Sequence, residues 1–499
     1  MFKKIIYTLL ILLIGVFVGK YFFGKKVNQV ALPNPNTLYR KSPSSNIVKK
    51  DSILKQEFNG EIFDVKDGGS IQETVKKAKP GDLIRVFPGT YSETVYIDKD
   101  NITFQGIIEK GEWPTLDGKK ELNDAFLYSG NGIQIEGFKI INYKGNGIMG
   151  QAGNNFIIRN NWVIDTGVYG IFPQFGKNGL IAYNILSGIE DAAIYVGMCD
   201  NIDVLHNEVY ENVAGIEIEN SRHCLVENNK AYNNTGGILA FVTPGLPIKT
   251  AFDIIIRNNF VSDNNHKNFG APGSIVSGIP PGTGILVMAA DDVIIENNII
   301  TNNDNVGIVI TDFENGGAKA SKDPDSDPNP DRIVILDNFM VDNGNNPVGE
   351  IKALMLTQLS TKGPDILAIG GGQGSSIKNE SRYRTWGLGD FGLPAISNTK
   401  NSHSFLLDEP AKSRKITKKE LGEMTYYGIC SGCHAYDIRL IGVPTNVIQM
   451  IYKDNPKGIV DYINKPKNLR DDYPEMPPQN YLSQDAKLAV AEYILTLKK

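Results

Sequence analysis

Near its C-terminus the chain reads Cys430-Ser-Gly-Cys433-His434, in a sequence with four cysteines in all. The C-x-x-C-H spacing is that of covalent haem attachment: two thiols add to the porphyrin vinyl groups, and the adjacent imidazole takes the iron from one side. A thioredoxin-like redox pair would need a preceding strand and a βαβ unit, and a structural zinc site a second pair of ligands; the sequence offers neither. One covalent haem c is therefore expected. A second chemical constellation is acidic. Glu217 and Glu219 alternate along one short segment, with Asp191 about one repeat earlier, and paired carboxylates are the machinery of glycoside hydrolysis. A third run, KDPDSDPNPD, sets Asp323, Asp325, Asp327, Asn329 and Asp331 at alternate positions. It raises calcium as a ligand, but it lacks the Gly and late Glu of an EF-hand, so a Pro-rich acidic surface loop is the plainer reading.

These residues need a scaffold, and the sequence supplies one by repetition. An apolar-x-x-Asn unit recurs at Asn161, Asn184, Asn207, Asn229, Asn259, Asn298 and Asn338, with successive spacings of 23, 23, 22, 30, 39 and 40. Fourteen residues before five of these Asn stands a small residue followed by Ile: Gly147, Gly170, Ala193, Gly215 and Gly284. The remaining Gly-Ile pairs, at Gly237 and Gly307, are displaced by insertions at about 242–251 and 312–331. A period of 22 to 23 cut into short strands by turn residues is one coil of a right-handed parallel β-helix. Stacked Asn can form amide ladders along it. Leucine-rich repeats share the period but would place Leu at fixed positions, and this chain does not.

Over residues 61–370 the sequence resembles the pectin-lyase-like parallel β-helix family, including the opening PGDLIRVFPGTY and DNITFQG. The resemblance implies the fold and leaves the activity open, since such folds include lyases, hydrolases, epimerases and inert binding modules. With the repeat's Ile pointing inward, alternate side chains point outward. They form the columns Met149, Phe172, Tyr195, Glu217, Leu239, Leu286, Val309 and Gln151, Gln174, Gly197, Glu219, Phe241, Met288, Thr311. Phe172 and Tyr195 are a candidate glycan face, and Asp191, Glu217 and Glu219 the candidate catalytic carboxylates. The plainer alternative is a strand face partly covered by inserted loops. Neither column holds Lys or Arg, which counts against a lyase needing a strong base and a countercharge for uronate.

The rest of the chain arranges around this coil. Residues 1–26 carry Lys3 and Lys4 before a largely apolar run to Phe23, an export signal long enough to act as an uncleaved membrane anchor. The protein is then expected in a bacterial cell envelope, periplasmic or outward-facing, or secreted if the signal is cut. Residues 27–60 and 371–414 read as linkers rich in Pro, Ser, Asn, Gly and Lys. The net charge of -5 offers no field to gather nucleic acid. Cys199 and Cys224 fall in different columns of the repeat and read as packed thiols.

Residues 415–499 read as helical. Gly422, Tyr426 and Cys430 share one helical face, Gly422 leaving room for a crossing helix, and Ser483 caps a last helix that brings Tyr493 to the crossing. This segment resembles a class I cytochrome c, and the resemblance makes Met476, in EMPP, the second axial ligand to His434. Met450, in VIQMIY, reads as core. The expected whole is an all-β right-handed parallel β-helix followed by a small all-α cytochrome c domain. The first functional expectation is a tethered monohaem c-type cytochrome transferring electrons to a redox partner protein, its β-helix docking glycan or protein. The alternatives are a polysaccharide-active, glycoside hydrolase-like enzyme in the β-helix with accessory haem, and a structural, adhesin-like stalk.

Overall fold

The computed structural model describes residues 60–316, 323–370, 372–395, 399, 404–439, 441–467 and 472–498. The anchor at 1–26 and the first linker up to residue 59 lie outside the described residues. Between Ile62 and Trp386 the chain winds through three long parallel sheets of 12, 11 and 10 strands, each coil adding one strand to each sheet. The helix Ile71–Lys77, capped by the Ser70 hydroxyl, closes the N-terminal end. The repeat Ile residues stack in register down the interior, as in Ile148, Ile171, Ile194, Ile216 and Ile238, all fully buried.

The Asn repeat becomes a continuous amide ladder. Each Asn Nδ2 from Asn161 to Asn298 donates to the Oδ1 of the next, at 3.0–3.1 Å. The residue before each ladder Asn takes a left-handed φ, between 46° and 57°, in all seven coils. That conformation is unfavourable for L-residues outside turns, and the ladder holds it by fixing the residue that follows. A second ladder runs through Asn212, Asn234, Asn264, Asn303 and Asn343 at 2.9–3.0 Å.

Residues 371–414 do more than span a gap. Ser376–Ile377 and Thr385–Trp386 add strands to the end of the coil. Residues 404–414 then run back along one sheet, pinned coil by coil. Phe405 N donates to Asp203, Leu407 N to Asn178 Oδ1 and Ala411 N to Asn155 Oδ1, while Asn154 Nδ2 donates to the Lys412 carbonyl. This strap delivers the C-terminal helices to the outer face of the coil.

There the helix Lys418–Thr425 opens on a reciprocal cap between Thr417 and Glu420 and passes into a π-helical turn, Tyr426–Cys430. The last helix, Gln484–Thr496, is capped by Ser483 and crosses it at Gly422. A Cβ at Gly422 would run into the Ala489 carbonyl and lie 3.0 Å from Tyr493 Cβ, so the close crossing requires glycine. Met450 corrects the sequence reading: it is 72% exposed on the short helix Thr445–Ile451, with Ile451 beside it 66% exposed, and is no core residue. Cys199 and Cys224 are buried free thiols. In the acidic loop, Asp323 accepts from Lys249 Nζ at 2.6 Å and from Gly245 N at 2.8 Å, and among the described residues no three His, Cys, Asp or Glu side chains converge as a metal site.

Candidate functional site

The outward column is closed to solvent over five coils: Met149, Phe172, Tyr195, Glu217 and Leu239 are all at most 5% exposed, while Leu286 and Val309 beyond them are half-buried. The C-terminal helices lie over its Met149 end, and the inserted loops cover its other end, Thr243 donating to Glu219 and Ile279 packing at Gly236 beside Leu239. Gly428 sits on the column so closely that a Cβ would meet Met149 Cε and lie 3.0 Å from Gln174 Oε1. Tyr481, from the segment before the last helix, donates to the buried Asp124 at 2.8 Å, and Asp124 in turn accepts from Asn146 N and Nδ2 at 3.0 and 2.7 Å. Coil, inserted loops and C-terminal helices line between them a half-open cavity of about 800 Å³.

Two adjacent coils supply its acidic wall. Glu217 and Glu219 share the strand Ala214–Glu219, and period-two alternation turns both to the same side. Asp191 comes from the turn before Ala192–Gly197, one coil earlier. All three line the cavity together. Glu219 accepts from the hydroxyls of Tyr195 and Thr243, the latter in the first insertion. One Glu217 oxygen, Oε1, is buried without a partner. Burial raises all three carboxyls: Glu219 to about 7, Asp191 to about 8 with Glu219 adding to the rise, and Glu217 well above its usual range with Asp191 adding to it. Like charges this close cannot all ionise. Glu219 titrates lowest, the Thr243 hydroxyl favouring its anion. Tyr169 stacks on Tyr195 with centroids 4.4 Å apart, and Phe172 tilts against Tyr195 at 4.5 Å. The candidate glycan face is thus one wall of a half-open cavity.

The opposite wall carries the C-x-x-C-H segment. Cys433 and His434 line the cavity, and Cys430 and Cys433 are free, partly exposed thiols. His434 Nδ1 bonds the Val443 carbonyl at 2.7 Å, which places the ring proton on that nitrogen and leaves the Nε2 lone pair for a ligand. Burial lowers the His434 pKa and favours the neutral ring. The ring lies flat against Gly442, where a Cβ would run into it. Met476 packs, half-buried, against the same small core as Cys430. Two thiols, an imidazole with a free Nε2 and a nearby thioether are a donor set that fits a covalent haem.

Sequence reasoning missed three participants. Gln174 was only one member of an outward column, Thr243 lies in an insertion outside the repeat, and Asp124 acts through a partner 357 residues away. Only Gln174 had a signal, its register with Gln151 and Gly197.

Residues 121–245 match the family model described as the right handed beta helix region. The coil is a right-handed parallel β-helix, and the match lies wholly within it. No curated protein matches the chain. Similar solved structures include the A-modules of two Azotobacter vinelandii mannuronan C-5 epimerases. These are 12% and 14% identical, each with a TM-score of 0.43, covering 64% of this chain and 82% and 94% of theirs. A PL6 alginate lyase in complex with a trisaccharide is 14% identical with a TM-score of 0.36, covering 66% of this chain and 82% of its own. The likeness is one of fold.

The first functional expectation, an electron-transfer protein whose coil serves for docking, is overturned. The part of that face from Met149 to Leu239 is covered by the chain's own segments, the C-terminal helices over Met149 and Gln174 and the insertion carrying Thr243 beside Glu219, and it closes over three buried acids.

Proposed function

We propose that the protein is a polysaccharide-active enzyme of the glycoside hydrolase type, working in the cavity between the β-helix and the C-terminal helices. The observation that carries this is the trio of Asp191, Glu217 and Glu219, buried together beside stacked aromatic rings with their pKa values raised and spread. Hydrolysis of a glycosidic bond needs one protonated acid at the leaving oxygen and one carboxylate at the anomeric carbon or its attacking water. Glu217, raised furthest from the carboxylate range and with a free oxygen, is the acid. Glu219, which ionises first, is the carboxylate, oriented by Tyr195 and Thr243. Burial keeps the proton on Glu217, with Asp191 adding to it as that group ionises. Tyr169, Phe172 and Tyr195 offer apolar faces for sugar rings.

Haem would be an accessory group in this reading: Cys430 and Cys433 would hold it by thioether bonds with His434 and Met476 as ligands, and it would supply a one-electron redox couple at the wall that carries Cys433 and His434. The N-terminal pattern supports export and tethering in the cell envelope. The test is reducing-sugar release from a panel of polysaccharides by the wild type and by Glu217→Gln. Release that Glu217→Gln abolishes supports the reading; release that persists in the variant, or none from any glycan, removes it.

A further inference from the structure

We infer that the ten-stranded sheet is the contact face of a homodimer, packed against the same sheet of a second, antiparallel copy of the chain. The other two sheets are covered from within. The strap lies over the twelve-stranded sheet, with Leu406 packed on its outward apolar row, and the inserted loops and C-terminal helices lie over the eleven-stranded one. In all seven coils from Asn161 to Asn338 the turn into the ten-stranded sheet is two residues long, so no insertion leaves from that corner. Its three-residue strands turn the first and third side chains outward and the middle one in. At the first position Ile185, Phe260, Ile299 and Phe339 are 39–55% exposed.

The order of this row selects its partner. Eight coils present, in register, Lys139, Trp162, Ile185 and Glu208, then Lys230, Phe260, Ile299 and Phe339. A two-fold axis along the strand direction, between the coils of Glu208 and Lys230, reverses the coils and keeps each position in its own column. It sets Glu208 against the partner's Lys230, Ile185 against the partner's Phe260, Trp162 against the partner's Ile299, and Lys139 against the ring of the partner's Phe339. In the third column Tyr210 meets the partner's Tyr232, and Ser187 the partner's Ser262. No charge in either column meets its like. Glu208 and Lys230 already pair within one chain at 3.3 Å, and the axis joins two such pairs into a ring of alternating charge. An axis along the coil would instead set Ile185, Phe260 and Ile299 against the partner's Ser187, Ser262 and Thr301, apolar on polar. A lipid surface or a sugar chain gains nothing from an acid and a base at the centre of the row. The row is about 34 Å long and, with its corners, about 20 Å wide, close to the roughly 800 Å² per partner of a stable interface. The cavity lies on the eleven-stranded sheet, a different face.

The experiment is sedimentation equilibrium of the full-length protein in detergent. The wild type should be a dimer. Glu208→Lys and Lys230→Glu each set like charges across the axis and should each raise the dissociation constant about tenfold or more. An equimolar mixture of the two single variants restores opposite charges, as does the double reversal, and both should return to the dimer, with circular dichroism confirming each fold. A wild type that is monomeric at every concentration overturns the inference, as does a dimer that both single reversals keep, or a loss that the mixture or the double reversal fails to restore. A monomer whose binding to lipid vesicles or to an insoluble glucan is lost in Phe260→Asp and Phe339→Asp also overturns it and gives the row to that surface.

Discussion

As pH rises from about 4.5 to about 7 the fold should hold Glu219 protonated at a growing cost in stability, and replacing it with glutamine should remove that cost. Glu219 is 6% exposed, and burial lifts its carboxyl from 4.5 to about 7. In the unfolded chain the same group ionises near its ordinary value. Because the folded pKa lies above the unfolded one, the contribution to stability is fully present below about pH 4.5 and is lost as pH rises through about 7. Integrating the shift gives a loss of about 2.5 kcal/mol between pH 5 and pH 8. Glutamine keeps the shape of the protonated acid and cannot ionise. Asp191 and Glu217 face Glu219 and are raised by the same burial, so both proteins should weaken with pH, the wild type more steeply. Urea unfolding of the two proteins across about pH 5 to 8 measures the difference. It should grow by about 2.5 kcal/mol in favour of Glu219→Gln over that range. A difference that stays constant with pH would mean that Glu219 is charged throughout, and the division of roles among the three acids would fail.

Other outcomes follow from packing and the donor set. Asn207→Ala leaves Asn184 N, Asn184 Nδ2 and the Ile181 carbonyl without partners inside the coil, which should destabilise it by about 3 to 6 kcal/mol in urea unfolding. Gly428→Leu cannot fit beneath Met149 and Gln174; it should loosen the C-terminal helices and speed limited proteolysis within 392–414, with the coil surviving as a resistant fragment. Replacing Cys430 and Cys433 together by Ala should remove any haem-stained band. Met476→Ala should remove the weak sulfur-to-iron absorption band, while the exposed Met450→Ala should leave the band in place and change stability by less than about 0.5 kcal/mol.

The coil was legible because its signal is periodic. Ile148, Ile171, Ile194 and Ile216 recur at nearly constant spacing, and a stacked coil converts spacing directly into register. The second ladder carried the same signal: Asn212, Asn234, Asn264, Asn303 and Asn343 stand five residues after ladder Asn from Asn207 onward, and their spacings alone would have found it. Period-two alternation also put Glu217 and Glu219 on one side of their strand. The depth of their burial could not be read: Thr243 reaches Glu219 from an insertion outside the repeat, and the C-terminal helices reach the same face, at Met149 and Gln174, by a strap whose bonds to Asn155, Asn178 and Asp203 leave no periodic trace. Met450 shows the opposite error. Four apolar residues in VIQMIY looked like core, but a seven-residue helix packs only one side, and Met450 and Ile451 fall on the other.

The central claim is that water is added across a glycosidic bond by the buried acids of the β-helix. It is tested most directly by digesting a cleaved glycan in heavy-oxygen water and weighing the products by mass spectrometry. The account predicts one heavy oxygen at each new reducing end, no unsaturated sugar, and neither product from Glu217→Gln. Unsaturated ends without the label, or labelled ends still formed by Glu217→Gln, would contradict it.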